Sequence, residues 1–271
     1  RTLLAASVLF TGGELQVLTD ANETVLIRED PSVPGRVDVQ IGTSSTAATT
    51  APSLPNVAAA DVTSIVVITG SGENSVDLTG VVSSVFTSLP TISVQGGNGD
   101  DVIIGSPDLA MSADGQDGDD TITGSGSDDT ITGGDGDDSI SGQAGNDRID
   151  AGDGDDVVTG DDGDDTIVGD DGNDTLSGNL GNDSVVAGDG LDSLSGNEGL
   201  DTLNGNSGSD TISGDDGVDL IFGGGGDDLI NGGLEGDSII GNSGADTLMG
   251  DDGADFIDGG NSDDSMEGGA G

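Results

Sequence analysis

A period of nine residues governs about two thirds of this chain. From Gly115 to Glu267 the sequence divides into seventeen unbroken blocks of nine, among them 133-GGDGDDSIS-141, 160-GDDGDDTIV-168 and 250-GDDGADFID-258. Another good block, 96-GGNGDDVII-104, lies upstream of the ten-residue stretch 105-GSPDLAMSAD-114, which shifts the frame by one. A weaker block, 69-TGSGENSVD-77, carries Asn74 where the others carry Asp. In the eighteen good blocks position 6 is always Asp and position 8 always aliphatic. Position 4 is Gly except at Ser127, Glu235 and Ser262. A unit of nine residues cannot bury its one apolar side chain alone, so a repeat this short must stack.

The register G-G-x-G-x-D-x-U-x resembles the RTX (hemolysin-type) calcium-binding nonapeptide-repeat family over residues 96–271. The residues give a matching physical picture. In a three-residue strand x-U-x the middle side chain points one way and its neighbours the other. The aliphatic position 8 then faces inward, and the Ser and Thr of positions 7 and 9 face solvent. Gly, Asp and Asn in the six preceding residues tolerate left-handed backbone and make turns. The expected fold is all-β: a right-handed parallel β-roll (β-solenoid) of 18-residue coils, with an irregular β N-terminal region.

Such a stack lacks a stabilising term. Each half-coil buries about one Ile-sized side chain, worth roughly 1.5–3 kcal/mol, against about 1–2 kcal/mol of backbone entropy per ordered residue. Charge makes the balance worse. The chain has 54 acidic residues and four Arg, a net charge of −50, with 45 of the acidic residues and only Arg148 among the basic ones in 96–271. A cation is required. The donors available are hard oxygens, because the chain has no Cys and no His. Zinc, copper and iron favour N or S ligands, and Mg²⁺ holds its waters too tightly for such a cage, whereas calcium accepts six to eight oxygens.

The resemblance implies calcium sites between stacked turns, each taking a position-6 carboxylate from both. The implied ligands are Asp101, Asp120, Asp129, Asp138, Asp147, Asp156, Asp165, Asp174, Asp183, Asp192, Asp201, Asp210, Asp219, Asp228, Asp237, Asp246, Asp255 and Asp264. Seventeen contiguous blocks form columns of nine and eight turns, which leave fifteen gaps, so up to about 15 Ca²⁺ are expected. Weaker sites are expected at Ser127, Ser262 and Glu235-Gly236, and near Asp192 and Asp201, where position 5 is Leu.

The first 95 residues are less acidic and alternate apolar with polar residues in 14-ELQVLT-19, 24-TVLIR-28 and 37-VDVQI-41, which reads as strand. Gly12-Gly13 and 31-PSVPG-35 are turn signals, and 42–56 reads as a linker or long loop. The expected division is an N-terminal β segment and linker over 1–56, degenerate capping coils over 57–114, and the RTX nonapeptide β-roll over 115–271. RTLLA at the start resembles the remnant of an export segment, and 268-GGAG-271 opens another block, as a piece of a longer protein would. On one outer face, positions 7 and 9 gather Val168, Val186, Leu220, Phe222, Ile240 and Phe256, a possible protein docking strip.

Composition narrows the function. Four basic residues cannot hold a phosphate backbone, which excludes nucleic-acid binding. No run approaches the ~20 apolar residues of a membrane span. Without His, HExxH or GxSxG, the chain is read as a non-enzyme. The resulting expectation is a calcium-binding secreted repeat module that folds on binding multiple Ca²⁺ ions. It would serve as a structural or adhesive part of an extracellular or cell-surface protein. One alternative is a repeat fragment of a secreted RTX enzyme or toxin whose catalytic domain lies elsewhere. Another is an ice- or surface-binding solenoid, hinted at by 121-TIT-123 and 130-TIT-132.

Overall fold

The structure is a computed structural model that describes residues 7–19, 23–29, 37–43 and 57–271. The expected turn at 31-PSVPG-35, the initial RTLLA and nearly all of the expected linker lie outside the described residues. The chain forms two compact units, Arg1–Asp135 and Gly136–Gly271. In both, the described secondary structure is β apart from a single 3₁₀ turn, Ala59–Asp61.

In the C-terminal unit, strands 18 residues apart pair in parallel. One sheet begins Arg148–Asp153, Thr166–Asp171, Ser184–Asp189 and ends at Phe256–Asp258. The other begins Ser139–Gln143, Val157–Asp162, Thr175–Leu180 and ends at Ser265–Glu267. Position 8 sets the register. Ile149 lies against Ile167, Ile167 against Val185, Leu203 against Ile221. These side chains are fully buried, and the aliphatic ladder ends at Met266, which is 56% exposed. Every coil therefore contributes two inward aliphatic side chains, one from each sheet, and the core runs along the stack.

The strands are longer than the three residues expected. Most run six residues, through positions 7–9 and on into positions 1–3 of the next block, as in Thr166–Asp171. The reason is a local left-handed residue at position 2, which bends the chain and then lets pairing resume. Asp170 (φ 73°) pairs with Gly188 (φ 134°) in this way, and Asp171 with Asp189. Asp and Asn are the residues besides Gly that tolerate this conformation.

In the N-terminal unit the expected strands form as Glu14–Leu18, Glu23–Glu29 and Val37–Thr43. Gly12 (φ 62°) and Gly13 (φ 94°) make the two-residue turn that returns Ser7–Thr11 antiparallel onto Glu14–Leu18. The second of these strands pairs in parallel with Ser64–Ile68, which starts a parallel run through Ile92–Asn98, Met111–Asp117 and Thr130–Asp135. Val37–Thr43 likewise lies antiparallel on Glu23–Glu29, which joins Ser75–Gly80, Val102–Ile104 and Thr121–Ser125. Antiparallel strands thus close one end of both sheets here. Their core is richer than a repeat coil's: Leu15, Val17, Val25, Ile27, Ile65, Val67, Leu78 and Phe86 are buried.

Candidate metal centre

All eighteen position-6 aspartates stand immediately before a strand, and those of the C-terminal unit form two columns. Each column is held by a ladder in which one carboxylate accepts the main-chain N–H of the preceding coil. Asp156 N–H donates to Asp174 Oδ1 at 2.9 Å, Asp174 to Asp192 at 2.9 Å and Asp192 to Asp210 at 2.9 Å. The same column runs on through Asp228 and Asp246 to Asp264, and Asp138 N–H donates to Asp156 at 2.7 Å. In the other column Asp147, Asp165, Asp183, Asp201, Asp219, Asp237 and Asp255 are linked in turn at 2.7–3.0 Å. In the N-terminal unit Asn74 N–H donates to Asp101, Asp101 to Asp120, and Met111 to Asp129.

The second carboxylate oxygen is the informative one. Oδ2 is buried without a hydrogen-bond partner in Asp101, Asp156, Asp165, Asp174, Asp183, Asp192, Asp201, Asp210, Asp219, Asp228, Asp237, Asp246 and Asp255. It lies over the position-1 residue of its own block and near the position-1 carbonyl of the next coil. A Cβ on Gly96 would sit 2.7 Å from both Asp101 Oδ2 and Gly115 O. One on Gly232 would sit 2.5 Å from Asp237 Oδ2 and 3.0 Å from Gly250 O. Two acceptor oxygens thus border the small space over position 1, and the carboxylate one has no donor. A buried polar atom left so is costly, and only a proton or a cation can reconcile two acceptors.

The electrostatics agree. Burial pushes the carboxyls of Asp156, Asp183 and Asp219 up to about 7, and those of Asp101, Asp174, Asp210 and Asp228 up to about 6. The ladder hydrogen bond pulls each one down, and neighbouring carboxylates push it up again. For Asp156 those neighbours are Asp138 and Asp174, one coil away on either side. Like charges stacked at coil spacing oppose ionisation.

Among the described residues no three acidic side chains converge as a metal-binding group. A cation here would draw part of its shell from main-chain carbonyls. The donors are all oxygen, which fits calcium and does not suit the softer transition metals.

The repeat text does not reveal the role of position 5. Its side chain accepts from the coil that follows: Asn173 N–H donates to Asp155 Oδ1 at 2.8 Å, and Asn182 N–H to Asp164 Oδ1 at 2.8 Å. Leu191 and Leu200, 64% and 60% exposed, donate their main-chain N–H to Asn173 Oδ1 and Asn182 Oδ1, and their own side chains have no acceptor for the coil that follows. The ladder bonds of Asp192 and Asp201 are nonetheless like the others. Glu235 (φ 71°) and Ser262 (φ 99°) hold left-handed backbone at position 4. At Asp129 the pattern changes, because Ser125 donates its main-chain N–H and its hydroxyl to the carboxylate.

The outer apolar residues do not form a continuous face. Phe222 pairs with Ile240, but Asn204 separates Phe222 from Val186 and Asp258 follows Ile240. Ser238 stands between Leu220 and Phe256.

Among the described residues no helix is long and apolar enough to cross a membrane. No curated protein shows a significant match to this chain. A family model described as the RTX calcium-binding nonapeptide repeat matches residues 93–108, 114–149, 141–176, 168–203, 177–212, 204–239 and 240–271. The matched residues include all eighteen position-6 aspartates, and this chain belongs to the RTX calcium-binding nonapeptide-repeat family.

Proposed function

We propose that the repeat region takes up calcium between stacked turns, that the position-6 aspartates are its carboxylate ligands, and that folding of the repeats and calcium binding are one process. The observation that supports this is the Oδ2 buried without a partner in thirteen turns, which in nine of them shares the space over position 1 with a carbonyl of the next coil. A calcium ion between turns would supply the missing positive partner to both oxygens and offset the repulsion along each column. The expected capacity is up to about 15 ions, one for each gap between stacked turns.

This reading makes the chain a non-catalytic structural or adhesive module of a secreted or cell-surface protein, folding where calcium is abundant. Extracellular calcium modules bind at roughly 10⁻⁴ to 10⁻³ M. The position-6 carboxylates are 1–3% exposed from Asp101 to Asp246, which suits ligands held between turns rather than groups that meet a substrate.

The test is a calcium titration followed by far-UV circular dichroism, with magnesium as control. A cooperative rise in β signal with calcium in the millimolar range and none with magnesium is expected. A β-rich spectrum in excess chelator, unchanged by calcium, would overturn the reading.

A further inference from the structure

The turn 69-TGSGENSVD-77 sits in the parallel stack as a repeat block does, but differs at two positions. Thr69 stands at position 1 and Asn74 at position 6. Both are buried, 5% and 4% exposed, and both bring donors where a regular block has only acceptors. Asn74 Nδ2 donates to Gly72 O at 2.6 Å and reaches Gly70 O at 3.4 Å, two carbonyls of its own turn. Its Oδ1 accepts the main-chain N–H of Glu23 at 3.0 Å, so the surroundings fix which end of the amide points where. The Thr69 hydroxyl donates to Gly96 O, the position-1 carbonyl of the block that stacks on it.

The contrast with that next block is direct. There Asp101 Oδ2 has no partner, and it and Gly115 O both border the space over Gly96, each 2.7 Å from where a Cβ would stand. In the 69–77 turn the corresponding carbonyl meets a hydroxyl donor instead, and the position-6 side chain is a neutral amide. No buried charge is left to neutralise and no acceptor is left facing an acceptor. The surrounding apolar core is also larger, with Ile65, Val67, Val76, Leu78 and Phe86 all at 0–1% exposure.

We infer that Thr69 and Asn74 take the place of a cation, so that this turn closes without metal and forms a metal-independent template for the calcium-dependent stack. The template passes on the same ladder contact as any repeat. Asn74 N–H donates to Asp101 Oδ1 at 2.6 Å, and Asp101 N–H to Asp120 Oδ1 at 2.7 Å. The first carboxylate turn therefore finds its ladder donor already in position. The inference rests on the reading that calcium fills the regular turns.

The experiment is hydrogen exchange by mass spectrometry on the full chain, in excess chelator and in millimolar calcium, with equilibrium dialysis of calcium. The variants are Asn74→Asp and the double variant Thr69→Gly/Asn74→Asp, which restores the repeat pattern. In chelator, wild-type peptides covering 64–80 should stay protected while those from 136–271 exchange freely. The double variant should lose the 64–80 protection in chelator, regain it in calcium and bind a further calcium ion per chain. Asn74→Asp alone should move in the same direction. Exchange of wild-type 64–80 in chelator as fast as the repeats would overturn the inference. So would a double variant that keeps its chelator protection with unchanged calcium uptake, or one that stays unprotected at every calcium concentration. Protection of 136–271 in chelator with no calcium uptake has a different signature. It would remove the calcium reading of the repeats, and the inference with it.

Discussion

Asp174 accepts the main-chain N–H of Asp156 at 2.9 Å, reaching one coil back. One residue earlier the direction reverses, and Asp155 accepts the N–H of Asn173 one coil forward at 2.8 Å. Neighbouring side chains therefore stitch each turn to both of its neighbours. Position 5 ends its work there, at the exposed edge. Position 6 retains a second oxygen, buried and unpartnered, which is the atom proposed to meet calcium.

Asp174→Asn separates those two duties. The amide can still accept the Asp156 N–H but carries no charge. In chelator the variant should be no less folded than wild type, because a buried carboxylate has gone. In calcium it should need a higher concentration for half-folding. Asp174→Ala loses the ladder acceptor as well, which costs about 1–3 kcal/mol for the buried N–H left unmet. Calcium titrations of both variants by circular dichroism would check the order. Equal midpoints for wild type and Asp174→Asn would contradict it.

The pH response of the metal-free chain follows from the raised carboxyls. Asp156, Asp183 and Asp219 rise to about 7, and Asp174, Asp210 and Asp228 to about 6, from an ordinary value of 3.8. A carboxyl that holds its proton more tightly when folded makes folding take up protons. Its contribution is full below pH 3.8 and is lost as pH rises through 6 to 7. In chelator the β signal should therefore grow as pH falls from about 8 to about 5. Calcium requires the ionised form, so its half-saturating concentration should rise over the same range. A metal-free chain equally structured at both pH values would contradict the first expectation.

Glycines at different repeat positions should differ in their tolerance of Ala. Gly181 has φ 133°, and a Cβ there would run into the Gly163 carbonyl. Gly181→Ala should cost about 1–3 kcal/mol or more, through strain and overpacking together. Gly232→Ala puts its Cβ 2.5 Å from Asp237 Oδ2. Ala151 and Ala187 already occupy this position, fully buried, so the loss should be smaller. Denaturant midpoints in saturating calcium would test the ranking.

Core position 8 should depend on place in the stack. Ile221 is fully buried between Leu203 and Ile239, and Ile221→Ala should cost about 2–5 kcal/mol. Met266 holds the same repeat position at 56% exposure, and Met266→Ala should fall within about ±0.5 kcal/mol of wild type. Thermal melts of the calcium-loaded variants would show a large shift for the first and almost none for the second.

The nine-residue period by itself determined that Asp101 through Asp264 share one place in the repeat, that Ile149, Ile167 and their equivalents face inward, and that strands 18 residues apart pair. A repeat specifies its own stacking partner, so register needs no other information. Oxygen-only donors were also legible, because the absence of Cys and His is a matter of composition. What sequence could not supply was direction. Nothing in the text D-D or N-D says that position 5 bonds forward and position 6 bonds back, because the same acceptor oxygens could serve either direction and only the folded backbone fixes which N–H each one meets. The six-residue strands arise the same way, from one left-handed residue that bends a strand without ending it. The substitution of Asn74 for Asp looks like decay of the repeat until Gly70, Gly72 and Glu23 are placed around it. An amide and a carboxylate differ by a donor, and only the tertiary structure shows which oxygens that donor meets.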